Sequence, residues 1–191
     1  MQNTETIQRC HWVNDDQIYI DYHDHEWGVP LHDDDKLFEF LILEGFQAGL
    51  SWITILKKRD NFRKAFDNFK ALKIVKYDEQ KIEELMQNAG IIRNRLKIMG
   101  TITNARLFLE VQKEFGSFDK YIWQFTKGKV LQNKIKTHSQ IKASTNISDK
   151  MSEDLYSRGF KFVGPTICYA YMQAAGLVND HLVSCHRYKK I

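Results

Sequence analysis

One stretch constrains this chain more than any other: residues 37–52, LFEFLILEGFQAGLSW. Leu37, Phe40, Leu41, Glu44 and Ala48 recur at the i, i+3, i+4, i+7 spacing of one amphipathic helix face. One of the five is a carboxylate, and an ionised Glu on an apolar face is costly unless something compensates it. Gly45 and Gly49 are expected to break the helix, and Leu50, Ser51 and Trp52 to open the next. Two readings follow. Glu44 is either a helix-boundary acid that turns to water, or a pocket carboxylate beside a tight turn that ends in a bulky apolar residue and an indole.

Length and composition bound the rest. A chain of 191 residues makes one domain, or two small lobes sharing a core, and 43% apolar residues suffice for that core. No apolar run is long enough to span a membrane. The N-terminal MQNTETIQRCHW is polar and lacks the apolar region of a signal peptide. Three cysteines without an export signal point to a reducing compartment, hence the cytoplasm, rather than to a disulfide framework. A net charge of +4 permits a polyanionic partner without establishing one. A monomer is expected.

Read in order, Met1–Arg9 is a loose polar tail. Cys10–Pro30 is an irregular segment with at most a short helix. His32–Asp35 caps the helix that starts at Leu37. Ser51–Arg59 and Asn61–Phe69 read as two short helices, and Tyr77–Met86 as another. Ile91–Gln112 forms a long helix with Arg93, Arg95 and Lys97 near its start. Ser117–Phe125 is short. Residues 128–146 are Lys-rich and aperiodic, the pattern of a variable or moving loop. Ser148–Ser157 and Val163–Ala175 close the series. No strand is predicted. The class is all-α, a single domain of roughly eight helices, with an irregular N-terminal segment over about 1–30.

Three constellations carry chemistry. Cys10 and His23 are separated by 12 intervening residues, and His181 and Cys185 by three, at opposite ends of the chain. Two thiolates and two imidazoles suit a closed tetrahedral zinc site. Free thiols with surface imidazoles remain the other reading, and His25 and His186 are neighbouring alternatives. Cys168, in an apolar helix, reads as a core thiol. Next, Arg158–Thr166 joins two helices over about 148–176. Its Gly159 and Gly164 allow a tight turn, Pro165 suits a first helical turn, and Lys161 adds charge. Such a turn aims a helix N-terminus outward as an anion site. That is the pattern of a helix-hairpin-helix gripping DNA phosphates, or of an αα-hairpin with no ligand. Finally, Trp12, Tyr19, Tyr22, Trp27 and Trp52 cluster in the first 52 residues, around Glu44. Aromatic faces plus one carboxylate suit a flat cationic ligand; the alternative is an aromatic-rich core.

Together the residues Cys10–Trp12, Tyr19–Asp24, Glu26–Pro30, Leu43–Gly45, Ala48–Trp52, Ala89–Arg93, Gly159–Ile167 and Asn179–His181 resemble DNA-3-methyladenine glycosylase I, collinearly from about Arg9 to Cys185. The resemblance implies a bacterial-type base-excision repair enzyme of the helix-hairpin-helix superfamily, acting on double-stranded DNA in the nucleoid and releasing free 3-methyladenine. It implies one structural zinc ion on Cys10, His23, His181 and Cys185, in a tail over 179–191. It places Glu44 and the Tyr22 hydroxyl at the base edge, with Trp52 and Trp12 stacking and Tyr19 and Trp27 lining the pocket. Leu50, beside Gly49, falls where the family presents a wedge, and Gly159, Lys161, Val163 and Gly164 fall on the DNA-binding hairpin. Phe46 departs from a polar Gln expected at the pocket rim. Where the wider superfamily has a catalytic Asp the nearest acid here is Asp180; a carboxylate beside the proposed ligand His181 more often orients a ligand, so Asp180 is not assigned as the catalytic acid and its role stays open. No lysine is placed as a Schiff-base nucleophile, so the expected enzyme is monofunctional. The competing classes are a non-catalytic DNA-binding protein with the same hairpin and a zinc hydrolase, which would need an open coordination position.

Overall fold

The computed structural model describes residues 7–191. Most of the tail expected over Met1–Arg9 therefore lies outside the described residues, and its last two residues are not loose. The Gln8 carbonyl accepts from His186 N at 2.9 Å, and Arg9 grips Asp24 at 2.7 Å.

The described residues form nine α-helices: α1 (Gln17–His25), α2 (Asp34–Gln47), α3 (Trp52–Ala65), α4 (Ala71–Ile74), α5 (Glu79–Gln87), α6 (Arg95–Phe115), α7 (Phe118–Trp123), α8 (Asn146–Ser157) and α9 (Pro165–Ala174). The architecture is mostly helical, as expected. Against the sequence reading, there is one parallel strand pair: β1 (Leu131–Gln132) lies beside β2 (Val178–Asn179). Two-residue strands have too short a period to be legible.

Helix α2 is the axis of the molecule. Asp33 caps it by accepting from Lys36 N, and every residue from Leu37 to Phe46 is buried. A helix apolar all round is a core helix, and α3, α6, α7 and α9 pack on it. Gly45 does not break it. A Cβ there would meet the Phe162 Cβ at 3.2 Å, and one at Gly100 of α6 would meet the Phe162 ring at 2.9 Å. The two glycines form a notch for Phe162, and that packing outweighs the roughly 1 kcal/mol helix cost of a glycine. The break comes at Gly49, where φ is +83°.

Other boundaries moved for local reasons. Trp52–Ala65 make one helix rather than two, because nothing between Arg59 and Asn61 interrupts the ladder. Helix α1 is nine residues long, capped by Asp16; its buried face is Tyr22 and His23, so an apolar count misses it. Helix α6 starts at Arg95 because Asn94 caps it, and α8 starts at Asn146 because Thr145 and Ser148 make a capping box. Helix α4 was not expected. Among the described residues no helix is long and apolar enough to cross a membrane.

Candidate active site

Helices α1, α2, α3 and α9 enclose a cavity of about 200 Å³. That is below the ~300–1,000 Å³ usual for drug-sized ligands, and fits one small planar molecule. Glu44 and Gln47 of α2 form its floor, Tyr19 and Tyr22 come from α1, Trp52 opens α3, and Trp12 and Trp27 flank α1. Trp12 packs on Tyr19 at 4.9 Å between ring centroids and edge-on to Trp27 at 5.1 Å. Tyr22 bridges to Trp52 at 5.4 Å. All five aromatic residues singled out in the sequence therefore line one space with Glu44.

The carboxyl is not a boundary residue turned to water. Glu44 is 4% exposed, and its Oε2 has no protein hydrogen-bond partner. Burial pushes its pKa up to about 8. The Trp52 indole Nε1, in the same cavity, is likewise buried without a protein partner. Burial first, and the nearby Glu44 carboxylate second, raise the Tyr22 phenol well above its ordinary value. The site is an aromatic box with a buried carboxyl group and an N–H whose hydrogen-bonding capacity the protein leaves unspent.

Beyond Glu44 and Gln47 the cavity continues into a groove between the Ala48–Leu50 turn and the start of α9, Thr166 and Ile167. Leu50 stands 42% exposed on that turn. Lys97, buried, holds the turn from behind: its Nζ donates to the carbonyls of Phe46 (2.9 Å) and Ala48 (2.7 Å), the orphan acceptors at the end of α2. The link between α8 and α9 is fixed by Asn104, which bonds both backbone groups of Lys161, at 2.7 and 2.9 Å. Lys161 N–H is thus spoken for. Gly164, Pro165 and Thr166, at the N-terminus of α9, are exposed, whereas Val163 is buried. Gly159 adopts φ +97° in the turn.

At the far side of Trp27, Cys10, His23, His181 and Cys185 converge, all buried, with one ligand atom from each within 4.8 Å of the others. Cys185 Sγ lies 3.5 Å from His23 Nε2 and 3.6 Å from His181 Nδ1; Cys10 Sγ lies 3.6 Å from His181 Nδ1. Hydrogen bonding from Cys10 and then from the imidazoles lowers the Cys185 thiol pKa. His23 Nδ1 donates to Asp24 at 2.7 Å, and His181 Nε2 donates to the Trp27 carbonyl at 3.1 Å. His186 reaches Asp24 instead of the cluster, at 2.9 Å, and His25 is exposed elsewhere.

Two site readings need correction. Phe46 does not sit at the rim: one residue turns a helix by about 100°, which carries Phe46 into the core against Phe62 and leaves Gln47 at the cavity. Asp180 does not orient His181; its oxygens accept from Tyr169 (2.6 Å), Gln173 (2.7 Å) and Asn133 (2.6 Å). The carboxylate that orients a cluster histidine is Asp24, which the sequence reading passed over although it directly follows His23. Lys97, Gln173, His138 and Ile141 were also missed; a lysine at an apolar position of α6 was the one available signal. Cys168 is a buried thiol donating to the Val163 carbonyl at 3.2 Å.

The chain is similar to known proteins along nearly its whole length. The family model described as methyladenine glycosylase matches residues 12–188. DNA-3-methyladenine glycosylase 1 of Escherichia coli (strain K12) is 51% identical over 179 residues, 94% of this chain and 96% of that protein. A crystal structure of 3-methyladenine DNA glycosylase I superposes with a TM-score of 0.92 at 50% identity, covering 94% of this chain and 98% of the other. A point variant of 3-methyladenine DNA glycosylase I in complex with 3-methyladenine superposes with a TM-score of 0.91 at 35% identity, covering 93% and 96%.

Proposed function

The chain belongs to the methyladenine glycosylase family and is a 3-methyladenine glycosylase of DNA base-excision repair; from that premise we propose how its own residues perform the excision. The observation that carries the reading is the pairing of an aromatic box with the unpartnered Glu44 carboxyl and Trp52 N–H. Methylation at N3 gives adenine a positive charge and weakens its bond to deoxyribose. The leaving group needs little acid assistance; it needs extraction from the helix and a site that prefers the cation.

Extraction costs a few kcal/mol, less for a damaged base. In this proposal Leu50 on the Gly49 turn enters the base stack. Gly159, Lys161, Val163 and Gly164 form a helix-hairpin-helix, with the exposed N-terminus of α9 accepting a phosphate; the Lys161 side chain adds charge while its backbone serves Asn104. The groove from Leu50 to Glu44 gives the base its path. Trp52 and Trp12 stack on it, and Tyr22, Tyr19 and Trp27 close the edges. A cation beside Glu44 draws the carboxyl pKa down from about 8 and restores the carboxylate. That carboxylate then favours the charged base over unmodified adenine. Hydrolysis leaves an abasic site, and no lysine reaches this cavity among its lining residues, which supports a monofunctional enzyme.

Cys10, His23, His181 and Cys185 fit one structural zinc ion. Ligand bonds of ~2.0–2.3 Å give tetrahedral edges of about 3.3–3.8 Å, and the 3.5–3.6 Å separations match. Four protein donors leave no position for water, so the ion's contribution is to tie the two chain ends together.

The test is incubation of methylated duplex DNA with the protein, followed by analysis of the released base and of the strand. Free 3-methyladenine with an intact abasic strand is expected. Strand cleavage, or a covalent DNA adduct trapped by borohydride, would contradict the monofunctional mechanism.

A further inference from the structure

The Lys-rich segment after α7, expected to vary or move, carries two residues into the same cavity: His138 and Ile141 line it opposite Glu44's helix. The segment is built to hold them there. Its first part, β1, pairs with β2, and the Ile135 carbonyl accepts from Val183 N at 2.8 Å, between the cluster residues His181 and Cys185. Ile135 itself is 5% exposed. The Gln140 side chain closes the following turn by accepting from Lys136 N at 2.8 Å and Thr137 N at 3.3 Å, and Ile141 N returns to the His138 carbonyl at 3.0 Å. The His138 ring packs on His11, with centroids 3.7 Å apart. Ile141, half-buried, rests on the core.

Resting on the excision reading above, we infer that the His138–Ile141 turn is the outer wall of the base site and sets the size of the alkyl group that the site admits. The other walls are the aromatic rings, α2, and Ala170 and Gln173 of α9, and each stands on a helix or beside the Cys/His cluster. This turn is the one wall made of an aliphatic side chain and an exposed imidazole on a short strap. Shortening Ile141 opens room that neither Trp12 nor Trp52 can fill. A pocket typically discriminates one methylene by about 10-fold or more, so the wall's effect falls in the range of 3-ethyladenine against 3-methyladenine.

The experiment measures kcat/KM for release of both bases, from duplex DNA treated with a methylating or an ethylating agent. It uses the full chain as wild type, Ile141→Ala, Ile141→Phe and His138→Ala. Ile141→Ala is expected to raise the ethyl-to-methyl ratio about 10-fold, Ile141→Phe to lower it, and His138→Ala to raise KM with kcat nearly unchanged. A merely structural role for the turn would lower both bases together and leave the ratio alone; an unchanged ratio in Ile141→Ala and Ile141→Phe, or unchanged KM in the exposed His138→Ala variant, overturns the inference. Absence of release by the wild type would instead overturn the excision reading, and this inference with it.

Discussion

Helix α2 and the N-terminal segment face each other across one cavity, yet different physics holds them. Helix α2 is buried on every side, so Glu44 is fixed by packing against four other helices. Trp12 and Trp27 sit on a segment with one short helix, whose buried anchors include Cys10 and His23. That wall is held from behind: the Trp27 carbonyl takes its hydrogen bond from His181, a member of the Cys/His cluster. The lesson is that a rigid site can combine a packed wall with one held through a Cys/His cluster, and the two should fail under different insults.

The sharpest way to separate them is to remove the proposed zinc ligands. Cys10→Ser with Cys185→Ser is expected to abolish binding of one zinc ion per chain and to destabilise the fold by about 4–5 kcal/mol. For a chain of this size that lowers Tm by about 10 °C or more. Tryptophan fluorescence should report a loosened Trp12–Trp27 wall while far-UV helicity persists. Metal analysis and thermal unfolding decide the matter, and unchanged stability would deny the terminal segment its special support.

The packed wall has its own signature. Glu44 has a folded pKa of about 8 against an ordinary 4.5. The native state therefore holds a proton that the unfolded chain releases. Its contribution to stability is complete below pH 4.5 and is lost as pH rises through 8. At 1.36 kcal/mol per pKa unit the span is on the order of 3–5 kcal/mol. Urea unfolding of wild type and Glu44→Gln at pH 5 and pH 9 should show the wild type losing more stability at pH 9. Parallel losses would mean that Glu44 is not buried as described.

A smaller effect tests the end of α2. Lys97→Met leaves the Phe46 and Ala48 carbonyls without their donor, and should cost about 2 kcal/mol. It should also weaken binding to duplex DNA by slackening the turn that carries Leu50. If stability and DNA affinity both hold, the turn does not depend on that lysine.

Much of this was legible where the chain is periodic. The helical class, the Asp33 cap and the convergence of aromatics near Glu44 follow from local pattern and clustering. Gly45 misled because a helix-breaking propensity of about 1 kcal/mol is weaker than tertiary packing, and nothing local to Gly45 reveals that Phe162 needs its notch. Asp24 and the strap from β1 to Ile141 were illegible for another reason. Their importance lies in partners far away in sequence, His186 and Val183, and an aperiodic segment gives no hint of what it is pinned to. Phe46 and Gln47 show the finest grain: one residue of register on a helix decides which side chain meets the ligand.

The central claim is that Glu44 reads the positive charge of the base in a buried aromatic box. The most direct measurement is release of free 3-methyladenine from methylated duplex DNA by wild type and Glu44→Gln, side by side from pH 6 to 9. Removing one preorganised electrostatic stabiliser, such as an oxyanion-hole donor, typically costs about 10²–10³-fold. The account predicts a fall of about 100-fold or more in Glu44→Gln at every pH, with the folded state intact. Equal release by the two proteins would leave the enzyme standing and remove Glu44 from its mechanism.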